Sequence, residues 1–361
     1  MSNVHKVNHW STIERLTRLG RPIQGMDLRG LDARGRSLGE ALFNQSWLTG
    51  AQFDGCDLTR TRFIGCDLSG ADFRGATLEH TAFIQCRMNG ARLRAEQMKN
   101  NCWTECDLSD SNWENASVEL GAVINSKLSD ATLRGVQLTR VAVLGSQLDG
   151  ADLSHARLDQ AVLNDADLRK VSLDGLQANG AVLINAQLQG KHLAGIRLER
   201  CTLQGTDFTD ADLRNAHLAE SNCMQSQFRR TRMAGINAPR AMFLSARFEE
   251  ADLSGAMLEN AIFQQATVCR STFDGANLKM SIWNKSCSTR VSFVGADLRY
   301  SRFDHARGDQ LDFSRAKADY SRFHNAALQA VTWRGASQRK LAGTDATQLA
   351  AEARTLFLEA T

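Results

Sequence analysis

Proline is almost missing from this chain: two residues in 361. So little of the one residue without a backbone N–H donor fits a long, unbroken β-ladder, which tolerates few missing donors. No apolar run approaches the ~18 residues of a membrane-spanning helix. The N-terminal MSNVHKVNHW has no apolar core of the kind a secretory signal carries. The expected location is therefore the cytoplasm, or export without a cleavable signal peptide. Sequence motifs for chemistry are also absent. There is no HExxH, no CxxC pair, no phosphate-binding glycine loop and no GxSxG, and the eight histidines are scattered. Neither charge sign dominates: the net charge is +3, with 17 basic and 21 acidic residues over 21–180 and 22 and 15 over 181–340. With 43% hydrophobic and 23% charged residues the chain is globular.

What is present is a period of five. In TRFIG CDLSG ADFRG ATLEH TAFIQ, residues 61–85, Phe63, Leu68, Phe73, Leu78 and Phe83 recur at every fifth position. A small residue stands two places before each. The register holds from Ile23 to Trp333 through 63 pentads without an insertion. Neither a helix, at 3.6 residues per turn, nor a flat strand, at two, has this repeat. A fixed short period over hundreds of residues marks a solenoid whose coils bury their apolar faces only against their neighbours.

The motif resembles that of the pentapeptide repeat family, Ala-(Asp/Asn)-(Leu/Phe)-x-x. Close matches are Ala71-Asp72-Phe73, Ala151-Asp152-Leu153, Ala166-Asp167-Leu168, Ala211-Asp212-Leu213, Ala251-Asp252-Leu253, Ala276-Asn277-Leu278 and Ala296-Asp297-Leu298. The resemblance covers about residues 21–337. It implies an all-β fold, a right-handed quadrilateral β-helix with one pentad per side and four per coil. The large centre and the small residue point inward, and the other three positions face solvent. About sixteen coils spaced ~4.8 Å apart predict a rod on the order of 75 Å long. The resemblance also brings functional expectations. Some family members imitate B-form DNA and inhibit topoisomerases, conferring quinolone resistance; others are secreted effectors or accessory proteins of secretion systems in bacteria. DNA mimics are strongly acidic, and a chain of mixed charge is a poor polyanion.

The ends differ from the repeat. Ser11 with Glu14 predicts a capping box for a short helix over residues 1–20 that carries Ile13, Leu16 and Leu19 on one face and stops at Gly20 and Pro22. In the segment 338–361, Asp345 with Gln348 caps a second helix, with Leu349, Ala353, Leu356 and Phe357 at helical spacing. Both helices serve to cap exposed strand edges; the second is also a candidate dimerisation helix, as in some pentapeptide proteins. Of the nine cysteines, Cys56, Cys66, Cys86, Cys106 and Cys201 take the small inward seat, which predicts packed, reduced thiols. Asp304, His305 and His324 form one local cluster, expected as ordinary solvent-facing surface rather than a metal site. The centres Ser288, Gly308 and Ala318 underfill the core and predict a bend or flexible joint.

A period of twenty separates the four sides. On the side centred at 83, 103, 123 and so on to 283, the flanking outward positions run from Ala82 to Asn284. None of these 22 is charged, and 15 are Ala, Cys, Val, Ile, Leu or Met. The equivalent positions on the next two sides carry ten and eleven charges. A mere strand preference for β-branched residues would populate all four sides. The residues that carry the signal are Ile84, Ile124, Leu144, Val162, Val182, Ile184, Met242, Leu244, Ile262 and Ile282, bounded by Arg62 before and by Arg302, Asp304 and Arg322 after. A strip of that length exposes on the order of 500–800 Å², large for a soluble monomer. Burying it against a second copy removes on the order of 1,000–1,600 Å² in total, a standard interface. A terminal helix of some 15 residues, about 22 Å long, covers less than half of it. The expectation is a non-enzyme without cofactor or metal: an interaction scaffold that docks another protein or a second copy of itself, with no small-molecule substrate and neither nucleic acid nor membrane as partner.

Overall fold

The computed structural model describes residues 10–95 and 97–359, with side chains to Ala353. The chain is a parallel β-solenoid of about fifteen turns with two short helices. It divides into two compact units, residues 1–177 and 178–361.

The first unit opens with helix α1, Trp10–Arg18. Ser11 lies inside its first turn, so it is not the cap the Ser11–Glu14 pattern predicts; the helix already includes Trp10. Ile13 is fully buried, whereas Leu19 lies beyond the last turn and is 60% exposed. Gly20, at φ 60°, ends the helix, with its N–H on the Thr17 carbonyl and the Arg21 N–H on the Leu16 carbonyl. Only a residue free to take a left-handed conformation closes a helix this way. The Arg36 guanidinium lies 4.1 Å over the Trp10 ring and ties α1 to the first coils.

From Ile23 onward each pentad contributes a short strand or a single bridge residue, followed by a corner. The corner is the fifth residue, held at positive φ: Glu40, Arg60, His80 and Asn100 along one edge. Strands pair in parallel with partners twenty residues away, as in Phe43 with Phe63, Phe63 with Phe83 and Trp103 with Val123. Left-handed backbone costs a non-glycine residue of order 1 kcal/mol. Several corners offset this cost by interacting with the next coil. The side-chain oxygens of Asn115, Asn125, Asn185 and Asn215 lie over Gly135, Gly145, Gly205 and Gly235 one coil later, where a Cβ would crowd them.

Inside the first unit the large residues form columns. Phe43, Phe63, Phe83 and Trp103 stack face to face at 4.9, 5.1 and 5.8 Å. The small seat is filled by Ala or by a residue that satisfies itself. Thr61 and Thr81 each donate to a carbonyl 23 residues earlier, those of Leu38 and Leu58, both at 2.8 Å. These two buried hydroxyls are tolerated because each meets an acceptor. Cys86 and Cys106 do the same, with Sγ 3.3 Å from the carbonyls of Phe63 and Phe83. All five small-seat cysteines are buried and free, as is Cys223 at a centre position.

The second unit repeats the plan with aromatic columns Phe243–Phe263–Trp283–Phe303–Phe323 and Phe273–Phe293–Phe313–Trp333. Its last coils hold the longest strands, Cys287–Ser292, Arg307–Asp312 and Ala327–Thr332, each six residues and paired in continuous register. At Ser288 and Gly308 the sheet therefore runs on without the expected bend. The volume has moved from one seat to the other. Next to Ser288 and Gly308 the small seat carries Val291 and Leu311, and Leu328 adds a methyl from the adjoining coil. Bridges continue to Arg322–Ala342. Helix α2, Ala346–Glu359, follows. The Asp345 carboxylate accepts the N–H groups of Thr347 and Gln348 at 2.9 and 3.1 Å, the cap of α2.

Candidate interaction face

In the first unit the uncharged side forms one parallel ladder. Arg62, Ala82, Cys102, Ala122 and Ala142 pair in one row, and Ile64, Ile84, Thr104, Ile124 and Leu144 in the other. Between the rows the centres turn inward and are buried, while the flanking residues stand half out. Ile84 and Ile124 are half-buried; Leu144 is 36% exposed. Val162 bridges to Ala142 and continues the first row. Beyond Arg62 the rows carry mostly apolar side chains in register at strand spacing, with Thr104 and Asn164 as their polar members.

The adjoining side of the same unit has the opposite character. Asp67, Arg87, Asp107 and Lys127 pair along it with alternating charge. On the side after that, Asp72 is sunk beneath two arginines, with Arg74 bidentate at 2.9 and 2.6 Å and Arg92 at 3.4 Å. Burial works to raise the Asp72 carboxyl, but the Arg74 side chain and backbone outweigh it and hold it below the usual range.

In the second unit the corresponding repeat positions run from Val182 to Asn284. Val182 bridges to Thr202, and Asn222, Met242, Ile262 and Ile282 follow in one row. Met242 is 36% exposed; Val182, Ile184, Leu244, Ile262 and Ile282 are half-buried. All ten residues singled out in the sequence thus occupy outward positions, on four coils of each unit.

The end of this side in the second unit differs from the sequence reading. Asp304 and His324 are buried, at 3% and 0% exposure, and His305 is half-buried; none is the open surface expected. Asp304 lies between Arg302 and Arg322, with Arg322 Nε 2.8 Å from Oδ1 and Arg302 Nη2 3.0 Å from Oδ2. Burial would raise its carboxyl, but these two guanidinium groups keep it below the ordinary range. Beside it the His305 and His324 rings meet edge to face at 5.5 Å. Both Nε2 atoms point at one oxygen of Glu352 on α2, each at 3.3 Å. The sequence reading missed Glu352, because no repeat register reaches into a helix that folds back.

Among its described side chains, helix α2 meets the coils through polar ones. Gln348 and Glu352 face the coils, the Gln348 amide donating to Glu352 Oε1 at 2.7 Å. Leu349, 36% exposed, and Ala353 face away. Leu356 and Phe357 lie outside the described side chains.

Nothing among the described residues assembles a nucleophile with a base in an enclosed pocket. A cavity of about 20 Å³ in the first unit is lined by Trp103, Trp113 and aliphatic core residues alone. Shallow surface grooves, such as one of about 330 Å³ along Gln45, Trp47 and Arg87, are open to solvent. No described helix is long and apolar enough to cross a membrane.

Parallel coils of twenty residues, a left-handed corner at every fifth residue and paired large and small inward seats define a pentad-built β-solenoid. Family models agree. Pentapeptide repeats in eight copies match residues 27–63, 123–154, 146–183, 181–218, 221–260 and 251–282, and a pentapeptide repeat region matches 56–120. The chain belongs to the pentapeptide repeat family. Among solved structures it is similar to a trypsin-treated form of QnrB1, a plasmid-mediated fluoroquinolone resistance protein, at 21% identity and TM-score 0.27, covering 55% of this chain and 90% of that one. It is also similar to HetL of the cyanobacterium Nostoc sp. strain PCC 7120, a protein involved in heterocyst differentiation regulation, at 20% identity and TM-score 0.19, covering 91% and 93%. A third is AT2G44920 from the Arabidopsis thaliana thylakoid lumen, at 24% identity and TM-score 0.17, covering 36% and 68%. At these identities the likeness concerns fold alone. No curated protein matches the chain.

Proposed function

We propose that this protein is a non-catalytic interaction scaffold that docks a protein partner on its uncharged side. The observation that carries the reading is the sorting of charge: 22 flanking positions without a charge, against ten and eleven on the next two sides. Every coil obeys the same backbone rules, so a fold requirement explains the inward seats but not a difference between outward sides. Leaving Ile, Leu, Val and Met half out, in rows, is favourable only where another surface removes them from water, at roughly 25 cal/mol per Å². A second copy of the chain is the occupant to test first, because it presents the same uncharged surface. The net charge of +3 argues against imitation of DNA, which calls for a strongly negative surface.

The test is the solution mass by light scattering of the wild type beside Leu144→Glu and Met242→Glu, one change in each unit. Both side chains point outward, so circular dichroism should show an intact fold. A wild-type dimer that becomes a folded monomer supports self-docking. A wild-type monomer, unaffected by either change, sinks it. A second reading rests on α2, which leaves Leu349 and Ala353 outward while docking by its polar face. A dimer that survives the two changes but not Leu349→Glu would place self-association on that helix.

A further inference from the structure

Among the described residues, side chains of the coils converge on a group from helix α2 at His305, His324 and Glu352. Three such groups, with ligand atoms within 4.8 Å of one another, match a metal-site donor set. The hydrogen bonds around them say otherwise. The backbone N–H of Asp345 donates to His324 Nδ1 at 3.0 Å. That nitrogen is therefore an acceptor, and the ring proton sits on Nε2, facing Glu352. A metal-bound histidine has the reverse arrangement: the metal on one nitrogen and a proton on the other, donated outward. His305 is placed in the same sense, with the Asn325 amide 3.0 Å from its Nδ1 and its Nε2 toward Glu352.

We infer that His305 and His324 form a carboxylate-binding site, built from two imidazole N–H donors, which Glu352 fills in cis. Three features make it a built site. His324 is fully buried. Its tautomer is fixed by the residue that also caps α2, so the start of the helix and the donor are set by one group. The neighbouring cations Arg302 and Arg322 are already engaged by Asp304, which leaves the imidazoles to serve the incoming oxygen. On the other side of the contact, Glu352 is held ready by Gln348, four residues back on the same helix face.

The chemistry also says how firmly α2 is attached. Its described apolar side chains, Leu349 and Ala353, face away from the coils, and what faces them is Gln348 and Glu352. The carboxylate is thus a tethered ligand, and the described part of α2 is the strap that carries it. Releasing the strap opens the two N–H donors to another carboxylate, such as an acidic side chain of a docked protein.

The experiment uses the full-length chain with acetate as the probe and the imidazole resonances of His305 and His324 as the readout. Glu352→Gln keeps the side-chain shape and removes the anion. In this variant acetate should move both sets of resonances, and amide exchange in α2 should rise while that of the coils stays unchanged. The wild type should need about tenfold or more acetate for the same shift, because a tethered group competes at an effective concentration in the millimolar range. Resonances in Glu352→Gln that ignore acetate would overturn the site. So would tight zinc binding by the wild type that shifts both rings while acetate shifts neither, since the cluster would then be a metal centre. Wild-type resonances that change on dilution would show that Glu352 comes from a second copy and would overturn filling in cis. His305→Ala, on the half-exposed corner, serves as a second variant, and it should abolish the acetate response without loss of the far-ultraviolet spectrum.

Discussion

Leu311 Cδ1 occupies the space of the side chain that Gly308 lacks: a Cβ on Gly308 would come within 2.6 Å of it, and within 2.9 Å of Leu328 Cδ2. The large residue sits in the small seat and the small residue in the large one. Gly308→Leu, the change that restores the repeat's own pattern, should therefore destabilise. Overpacking a filled core costs about 1–3 kcal/mol. Leu311→Ala alone should cost about 2–5 kcal/mol through the void it leaves. The double variant Gly308→Leu/Leu311→Ala should recover most of the loss, because it exchanges the two seats. Thermal melts of the three variants read the coupling directly, and additive losses in the double variant would refute the exchange.

That pair also shows where the sequence stops being legible. The fold was readable because each pentad repeats one local decision: a large residue in, a small residue in, a left-handed corner. The uncharged side was readable for the same reason, since a period of twenty needs no knowledge of contacts. The seat exchange at Gly308 was not, because a rule that scores the centre alone sees an empty position and infers a weak joint. The burial of Asp304 and His324 escaped for a different reason. It depends on α2 folding back, and Glu352 lies 28 residues from His324 in a segment with no repeat.

Two tryptophans in equivalent core columns should respond differently to replacement by phenylalanine. Trp283 donates its indole N–H to Ser281 Oγ at 2.9 Å. Trp103 stacks below Phe83 with its indole Nε1 buried and unpaired. An unpaired buried donor costs about 1–3 kcal/mol. Trp103→Phe removes that cost as well as ring contacts, whereas Trp283→Phe strips Ser281 of its donor. Trp283→Phe should be the more damaging by about 1 kcal/mol or more, measured by chemical denaturation. Equal losses would mean the indole N–H of Trp103 has a partner.

Acid should act through the sunken carboxylates. Asp212, 1% exposed, accepts Arg214 Nε and Nη2 at 2.9 and 2.7 Å and also meets Arg232 at 3.2 Å. The Arg214 side chain is the main cause that takes its carboxyl from 3.8 down to about 2. A folded value below the unfolded one means the carboxylate stabilises the fold at neutral pH and down to about 3.8, and that this contribution fades as pH falls toward 2. Asp212→Asn should lower the melting temperature at neutral pH and flatten its fall through that acid window. An unchanged slope would show that Asp212 does not carry the acid sensitivity.

Cys56 and Cys86 should be chemically silent, and Cys86 should be replaceable by serine. Cys86 is pushed up to about 12 by its hydrogen bond with Cys106, and burial pushes Cys56 up to about 12. Since the thiolate is the reactive form, a thiol reagent should label exposed Cys287 in the native protein and reach Cys56 and Cys86 only on unfolding. The seat itself asks for a small group that hydrogen-bonds a carbonyl 23 residues back. Ser126 does so on the same ladder, donating to the Trp103 carbonyl at 3.3 Å, where Cys86 meets that of Phe63. Cys86→Ser should therefore stay within about 1 kcal/mol of the wild type, the usual net worth of one such hydrogen bond. Cys86→Leu should lose about 1–3 kcal/mol by overfilling the seat. If serine proved as damaging as leucine, the seat would be selecting for sulfur rather than for size and a donor.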